Sequence, residues 1–251
     1  MVRLLLETAT DVCSVALARD GKILAEQTAT EPHLHASHLT LFIQEVMQQA
    51  DTKLTELSEV VLSDGPGSYT SLRVGAATAK GLCLALPGLS LRVVPTLAAL
   101  MLAAKPHSEA TLAVINSRRG EVYGQFFMPE GARPQVQSEV FGKQGLGHLD
   151  PLFLGPQNIR LTEPDWLDRL IAAAQTAYFR VCGPGQQRVW DHLPNNDGEV
   201  LGCAGPEHCS AIHLLAPAAA PNWSRVVDIA AYEPFYLNPP FVTKSKKKPL
   251  G

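Results

Sequence analysis

The stretch Asp64-Gly65-Pro66-Gly67-Ser68-Tyr69-Thr70-Ser71-Leu72-Arg73-Val74-Gly75 joins a short apolar run, Val60-Val61-Leu62, to a series of small residues at helical spacing. Two glycines flank a proline of fixed φ, and Ser68 stands where its hydroxyl caps the helix that follows. A buried strand, a tight turn and a helix start are thus written side by side. A helix N-terminus offers free N–H donors and partial positive charge, so Gly65, Gly67 and Ser68 are candidate contacts for a phosphate or carboxylate. The lysine of a phosphate loop is missing, because Ser68-Tyr69-Thr70 follows the glycines directly. The residues leave open an anion site, a structural turn or a partner-docking surface.

On the N-terminal side, residues 3–28 predict a three-stranded meander: a strand at 4–7, a turn at 8–11, a second strand at 12–18 and a third past Arg19-Asp20-Gly21. Asp-Gly between apolar runs is a strong hairpin signal. Leu39, Phe42, Ile43, Val46, Met47 and Ala50 recur at three and four, which predicts an amphipathic helix capped near Ser37. On the C-terminal side, a helix over residues 68–86 sets Gly75, Ala76, Ala79 and Cys83 on one nearly flat side, open to close approach by another helix. Pro87-Gly88 ends it, residues 91–94 give a strand, Thr96 caps a short helix to 104, and Lys105-Pro106-His107 marks a domain boundary.

The second half repeats the opening. Thr111-Leu112-Ala113-Val114-Ile115-Asn116, a turn at 117–120 and a returning strand at 121–128 echo the first two strands, and Arg180-Val181-Cys182-Gly183-Pro184-Gly185 echoes the strand and Gly-Pro-Gly of 60–67. Two matches in the same order favour an internal duplication of one α/β module. Residues 129–155, rich in Pro, Gly and Gln, predict irregular structure; 162–177 predicts a helix, 187–193 and 209–215 shorter ones, and 232–237 a last strand. The tail Lys244-Ser245-Lys246-Lys247-Lys248 is expected to be disordered.

A chain of 251 residues, 46% hydrophobic, can bury a full core as two domains or one large one. Its formal charge of −3 advertises no overall nucleic-acid-binding field. Five scattered cysteines argue against a disulfide framework, and Met1-Val2-Arg3-Leu4-Leu5-Leu6-Glu7 is too short and too soon charged for a signal peptide or membrane span. A cytoplasmic protein that does not contact membrane is expected.

Three passages together resemble the bacterial TsaB family, also called YeaZ: Leu5-Leu6-Glu7-Thr8-Ala9-Thr10 with Cys13-Ser14-Val15-Ala16-Leu17, the run from Gly65 to Gly75, and Asn116-Ser117-Arg118-Arg119-Gly120-Glu121-Val122-Tyr123. The second match is highly specific. Beyond residue 128 only 181–185 and Glu233-Pro234-Phe235-Tyr236-Leu237 are similar to the family. The resemblance implies a duplicated actin-like, RNase H-like fold of two mixed-sheet domains. The division expected is 1–105 for the first domain, with the C-terminal segment returning to it as an option, 106–238 for the second and 239–251 for the tail. It also implies a non-catalytic subunit that docks on a larger paralogue, TsaD, which holds the metal and transfers a threonylcarbamoyl group from its adenylate to a tRNA adenosine. A TsaE-type ATPase is expected to complete the machine and tRNA to be reached through the complex; a homodimer is expected when the partner is absent, because a large apolar helical patch rarely stays bare.

The docking residues expected on this basis are His35, Leu39, Phe42, Ile43, Val46, Tyr69, Thr70, Leu72, Arg73, Ala76, Ala79 and Cys83. Anion or nucleotide contacts are expected, if anywhere, at Glu7, Thr8, Gly65, Gly67, Ser68, Asn116 and Arg118. Glu7 and Asn116 stand where the family pattern has aspartates, which weakens a metal-nucleotide site, and Tyr69 and Ser71 replace a phenylalanine and a glycine. The alternative is an ATP-dependent kinase or ATPase binding ATP or ADP with Mg through Glu7, Asn116 and both Gly-Pro-Gly turns. Direct tRNA binding through Arg118-Arg119 and the lysine tail is a third reading. His33, His35 and His38, or Cys203, His208, Cys209 and His213, lack zinc-ligand spacing, and no Gly-x-Ser-x-Gly elbow surrounds Ser68.

Overall fold

Leu4, Leu5 and Leu6 are fully buried, Leu4 and Leu6 in one apolar layer and Leu5 in another. Successive side chains of a strand point to opposite faces, so an uninterrupted apolar run marks a strand covered on both sides. In the computed structural model, which describes residues 1–31, 34–104, 110–128, 155–174, 178–194, 200–201 and 205–239, this strand is the centre of a first sheet. The elements run β1 (Val2–Glu7), β2 (Cys13–Arg19), β3 (Lys22–Ala29), α1 (His35–Gln49), β4 (Glu59–Ser63), α2 (Tyr69–Ala85), β5 (Ser90–Val94) and α3 (Thr96–Ala103). A second set follows: β6 (Ala110–Asn116), β7 (Glu121–Phe127), β8 (Gln157–Arg160), α4 (Trp166–Ala174), β9 (Phe179–Cys182), α5 (Gln186–Trp190) and β10 (Val200–Leu201). A 3-10 turn (Ala211–Leu214), α6 (Leu215–Ala219) and β11 (Arg225–Val227) complete the described chain.

The two sheets share one topology. The first reads β11-β5-β4-β1-β2-β3 and the second β10-β9-β6-β7-β8. In each, the central strand pairs antiparallel with its hairpin partner and parallel with the strand that precedes the Gly-Pro-Gly turn, here β1 with β4 and β6 with β9. The duplication legible in sequence is therefore the organisation of the molecule, and the fold is the duplicated actin-like α/β fold. The hairpin that joins β2 to β3 turns through Asp20 (φ 50°) and Gly21 (φ 79°), the two left-handed residues that match the strand twist.

Periodicity decides what covers the sheets. The stripe Leu39, Phe42, Ile43, Val46 and Met47 of α1 and the small side of α2, Ala76, Ala79 and Cys83, pack in one core with Leu4, Leu6, Val60 and Leu62. Each fully buried leucine contributes about 1.5–3 kcal/mol of transfer free energy. The opposite face carries Leu5, Val61 and Val94 under α3, the 3-10 turn and α6. Trp166, Leu167 and Leu170 of α4 cover the second sheet, and Leu97, Ala98 and Leu100 of α3 fill the layer against Ala113 and Ile115 of β6.

Several boundaries differ from the sequence reading. α1 starts at His35 with Leu34 as its N-cap, and Ser37 lies in the first turn with its hydroxyl donating to the Leu34 carbonyl. Pro95, not Thr96, precedes α3; the Thr96 hydroxyl instead accepts from the Gly65 N–H at 3.2 Å. The helix expected over 162–177 is Trp166–Ala174, with 175–177 outside the described residues, and that at 209–215 is a 3-10 turn running into α6. Residues 232–237 form no strand; the last strand is β11, which adds antiparallel to β5 in the first sheet. The boundary at 105–107, the segment 129–154 and residues 240–251 lie outside the described residues.

Candidate functional site

A cleft of about 440 Å³ opens where the ends of β1 and β6 face each other, lined by Thr10, Asp11, Gly67, Ser68, Tyr69, Asn116, Ser117, Arg118, Tyr123, Arg188, Glu207, His208, Tyr236 and Asn238 among others. The crevice outside the carboxyl ends of sheet strands is where α/β folds hold ligands. Both copies of the module contribute, each through its central strand end and its Gly-Pro-Gly turn.

The expected anion contacts divide. Gly67, Ser68, Asn116 and Arg118 line the cleft, whereas Glu7, Thr8 and Gly65 do not: Glu7 and Thr8 are 1% and 0% exposed, and Gly65 is buried. The turn after β4 lies so tightly over β1 that a side chain on Gly67 would sit 2.2 Å from the Ala9 carbonyl oxygen, and the Ser68 N–H donates to that oxygen at 2.7 Å. Glu7 is sealed beneath, its Oε1 accepting from the Ala9 N–H at 2.7 Å. Burial pushes its carboxyl up to about 7 against the pull of the Ala9 N–H, the Ser63 hydroxyl and the Thr8 N–H. The Thr8 hydroxyl is buried without a partner, and a side chain on Gly75 of α2 would meet it at 2.2 Å. Ser68 caps α2 by accepting from the Ser71 N–H and hydroxyl. Asn116 Nδ2 donates to the Pro184 carbonyl at 3.2 Å. Much of the turn's donor capacity is thus spent within the chain, and no carboxylate from the end of either central strand reaches the cleft.

Arg188 was not singled out in sequence. Its guanidinium donates to the carbonyls of Arg118 at 2.8 Å and Glu121 at 2.9 Å, pinning the β6–β7 turn to α5. A lone arginine in a short helix gives no sequence signal for that role. Among the described residues no group of three His, Cys, Asp or Glu is gathered for a metal ion; His33 and Cys203 lie outside them. Burial pushes the Cys209 thiol well up, and the His35 Nε2 faces the Val12 carbonyl at 3.0 Å. No helix among the described residues is long and apolar enough to cross a membrane.

The expected docking residues need correction. His35, Leu39, Phe42, Ile43, Val46, Leu72, Ala76, Ala79 and Cys83 are all buried, from 0% at Val46 and Ala79 to 9% at Phe42, against the chain's own sheet and helices. An apolar stripe is buried somewhere, and here the chain buries it itself. Of the expected set only Tyr69, Thr70 and Arg73 reach the surface. The outer side of α2 instead exposes Ala77, Gly81 and Leu84, the last at 75%, and α1 exposes Leu41 at 49%.

The chain is 34% identical over 177 residues to the tRNA threonylcarbamoyladenosine biosynthesis protein TsaB of Haemophilus influenzae, a match covering 57% of this chain and 71% of that one. The chain belongs to the TsaB family. TsaB of Escherichia coli is 36% identical over 122 residues, which take in 48% of this chain and about half, 52%, of the relative. A family model described as TsaD, tRNA N6-adenosine threonylcarbamoyltransferase, matches residues 22–136, a stretch that contains both α1 and α2. Among solved structures, YeaZ from Pseudomonas aeruginosa shares the TsaB-family fold with a TM-score of 0.65 at 22% identity, over 94% of this chain and 99% of that one.

In this TsaB-family chain the Gly-Pro-Gly turn is roofed by its own C-terminal segment. Asp64, 3% exposed, accepts from the Tyr232 hydroxyl at 3.0 Å and from Arg225 at 3.3 Å, and its carbonyl accepts from the Phe235 N–H at 2.7 Å. Burial pushes the Asp64 carboxyl up, against the pull of Arg225 and the Tyr232 hydroxyl. Gly65, at φ 107°, is the residue the turn cannot exchange: a side chain there would lie 2.3 Å from the Phe235 carbonyl oxygen.

Proposed function

We propose that this chain is the TsaB-type, non-catalytic subunit in the synthesis of threonylcarbamoyladenosine in tRNA, and that it docks on a TsaD-type transferase through the outer face of α2 with α1 beside it. The observation that carries this reading is the solvent-facing stripe Ala77, Gly81 and Leu84, whose leucine is 75% exposed. Small residues let a second helix approach closely, and such an approach would remove the Leu84 side chain from water. The match of residues 22–136 to the TsaD family supports the choice of partner, because a chain built alike presents related helices for pairing. Alone, the chain is expected to close the same face against a second copy.

A supporting role also accounts for the cleft. Glu7 is turned into the fold, and Asn116 brings no charge and is held by Pro184. The transferase supplies the chemistry, and a TsaE-type ATPase and tRNA engage the assembled complex.

Reconstitution from purified TsaD-type and TsaE-type proteins, tRNA and threonylcarbamoyl adenylate tests the reading. Product formation is expected to require this chain, to persist with Asn116→Ala, and to fall about tenfold or more with Leu84→Arg, because an unpaired charge forced into a contact costs several kcal/mol. Loss with Asn116→Ala and retention with Leu84→Arg would overturn it in favour of chemistry in the cleft.

A further inference from the structure

The segment 232–238 runs along the flank of α2 and is tied to it at both ends. The Tyr232 carbonyl accepts from Lys80 Nζ at 2.9 Å, and about three helical turns away the Tyr236 ring lies against Tyr69, centroids 4.6 Å apart. Between these points the Tyr232 hydroxyl and the Phe235 N–H are both fixed by Asp64, so the strap cannot slide without losing a buried carboxylate's partner. Arg73 completes the corner. Its guanidinium stacks 5.4 Å from the Tyr69 centroid and faces solvent, with no carboxylate paired to it among the described residues. Past Tyr236 the strap crosses to the second sheet, where Asn238 Nδ2 donates to the Tyr123 hydroxyl at 3.3 Å.

We infer that this strap is a positioning device for the docking face: Asp64 latches it, it holds the start of α2, and Tyr236, Tyr69 and Arg73 form a corner of the contact that receives a carboxylate of the TsaD-type subunit. The inference rests on the docking reading above. Arg73 is a guanidinium already ordered by an aromatic platform, so it meets a carboxylate with less entropy to lose than a free arginine. Tyr236 acts through Tyr69 and Arg73, and Tyr232 acts through Asp64.

Calorimetric binding to the purified TsaD-type subunit, with thermal unfolding of each free variant, provides the test. Tyr236→Ala is expected to weaken binding about tenfold with little change in unfolding midpoint, and Tyr236→Phe to restore it, since the ring and not its hydroxyl makes the stack. Arg73→Gln is expected to weaken binding and flatten its salt dependence. Tyr232→Phe frees the latch and is expected to raise amide exchange across 228–237 in the free chain while weakening binding. If Leu84→Arg abolishes binding but Tyr236→Ala and Arg73→Gln bind as the parent does, the strap has no part in docking. If Leu84→Arg also binds as the parent does, it is the docking face that is wrong.

Discussion

Glu7 shows how one methylene and one turn decide a residue's task. At the end of β1 a carboxylate looks poised for the cleft, yet it is buried and its partners are the Ala9 and Thr8 N–H groups and the Ser63 hydroxyl. Its pKa is raised from 4.5 to about 7 by burial, so the native state holds this proton more tightly than the unfolded chain does. The stability it contributes is complete below about pH 4.5 and is lost as pH rises to about 7, on the order of 3 kcal/mol for the shift. Glu7→Gln mimics the protonated form. Urea unfolding at about pH 5 and about pH 8 should show the variant gaining that amount on the parent at the higher pH; parallel curves would mean the carboxyl is not so buried. Gly65→Ala meets both a left-handed φ of 107° and the Phe235 carbonyl, and is expected to destabilise by about 3 kcal/mol in the same assay.

At the scale of the element, α2 is the helix on which sequence and structure part company. Its spacing correctly marks Ala76, Ala79 and Cys83 as a buried side, but periodicity registers burial without saying whether the cover is the same chain or another. Here the cover is α1 and β4, so Ala79→Arg, at a fully buried position, is expected to cost about 3–5 kcal/mol and to lower the unfolding midpoint of the isolated chain by circular dichroism. Gly81 is the opposite case. Nothing lies within 4 Å of a side chain added there, so Gly81→Ala should stabilise the free chain by about 0.5–1 kcal/mol in urea unfolding. The Asp20-Gly21 hairpin and the Ser68 cap were legible because turn and cap chemistry is local. The starts of α1 and α3 were not: Leu34 offers no capping side chain, and the Thr96 hydroxyl is used by Gly65, far away in sequence.

Over the whole molecule, the repeat of strand, polar end and Gly-Pro-Gly was enough to foresee two copies of one module, and the strand orders agree. What the copies do to each other was not legible. The cleft depends on Asn116 meeting Pro184, on Arg188 reaching three residues of the β6–β7 region, and on a strap that joins no sheet and bonds instead to a turn, a helix and the Tyr123 hydroxyl. Such long-range choices leave no local pattern. β11 has three residues and two exposed side chains, too little for periodicity to register. The central claim is that the outer face of α2 is a docking surface and the cleft is not a catalytic centre. Titration calorimetry of the chain against a TsaD-type protein, parent beside Leu84→Arg at matched unfolding midpoints, tests it most directly. Saturable one-to-one binding that Leu84→Arg weakens about a hundredfold is the predicted result, and equal binding by both, or none by either, would contradict it.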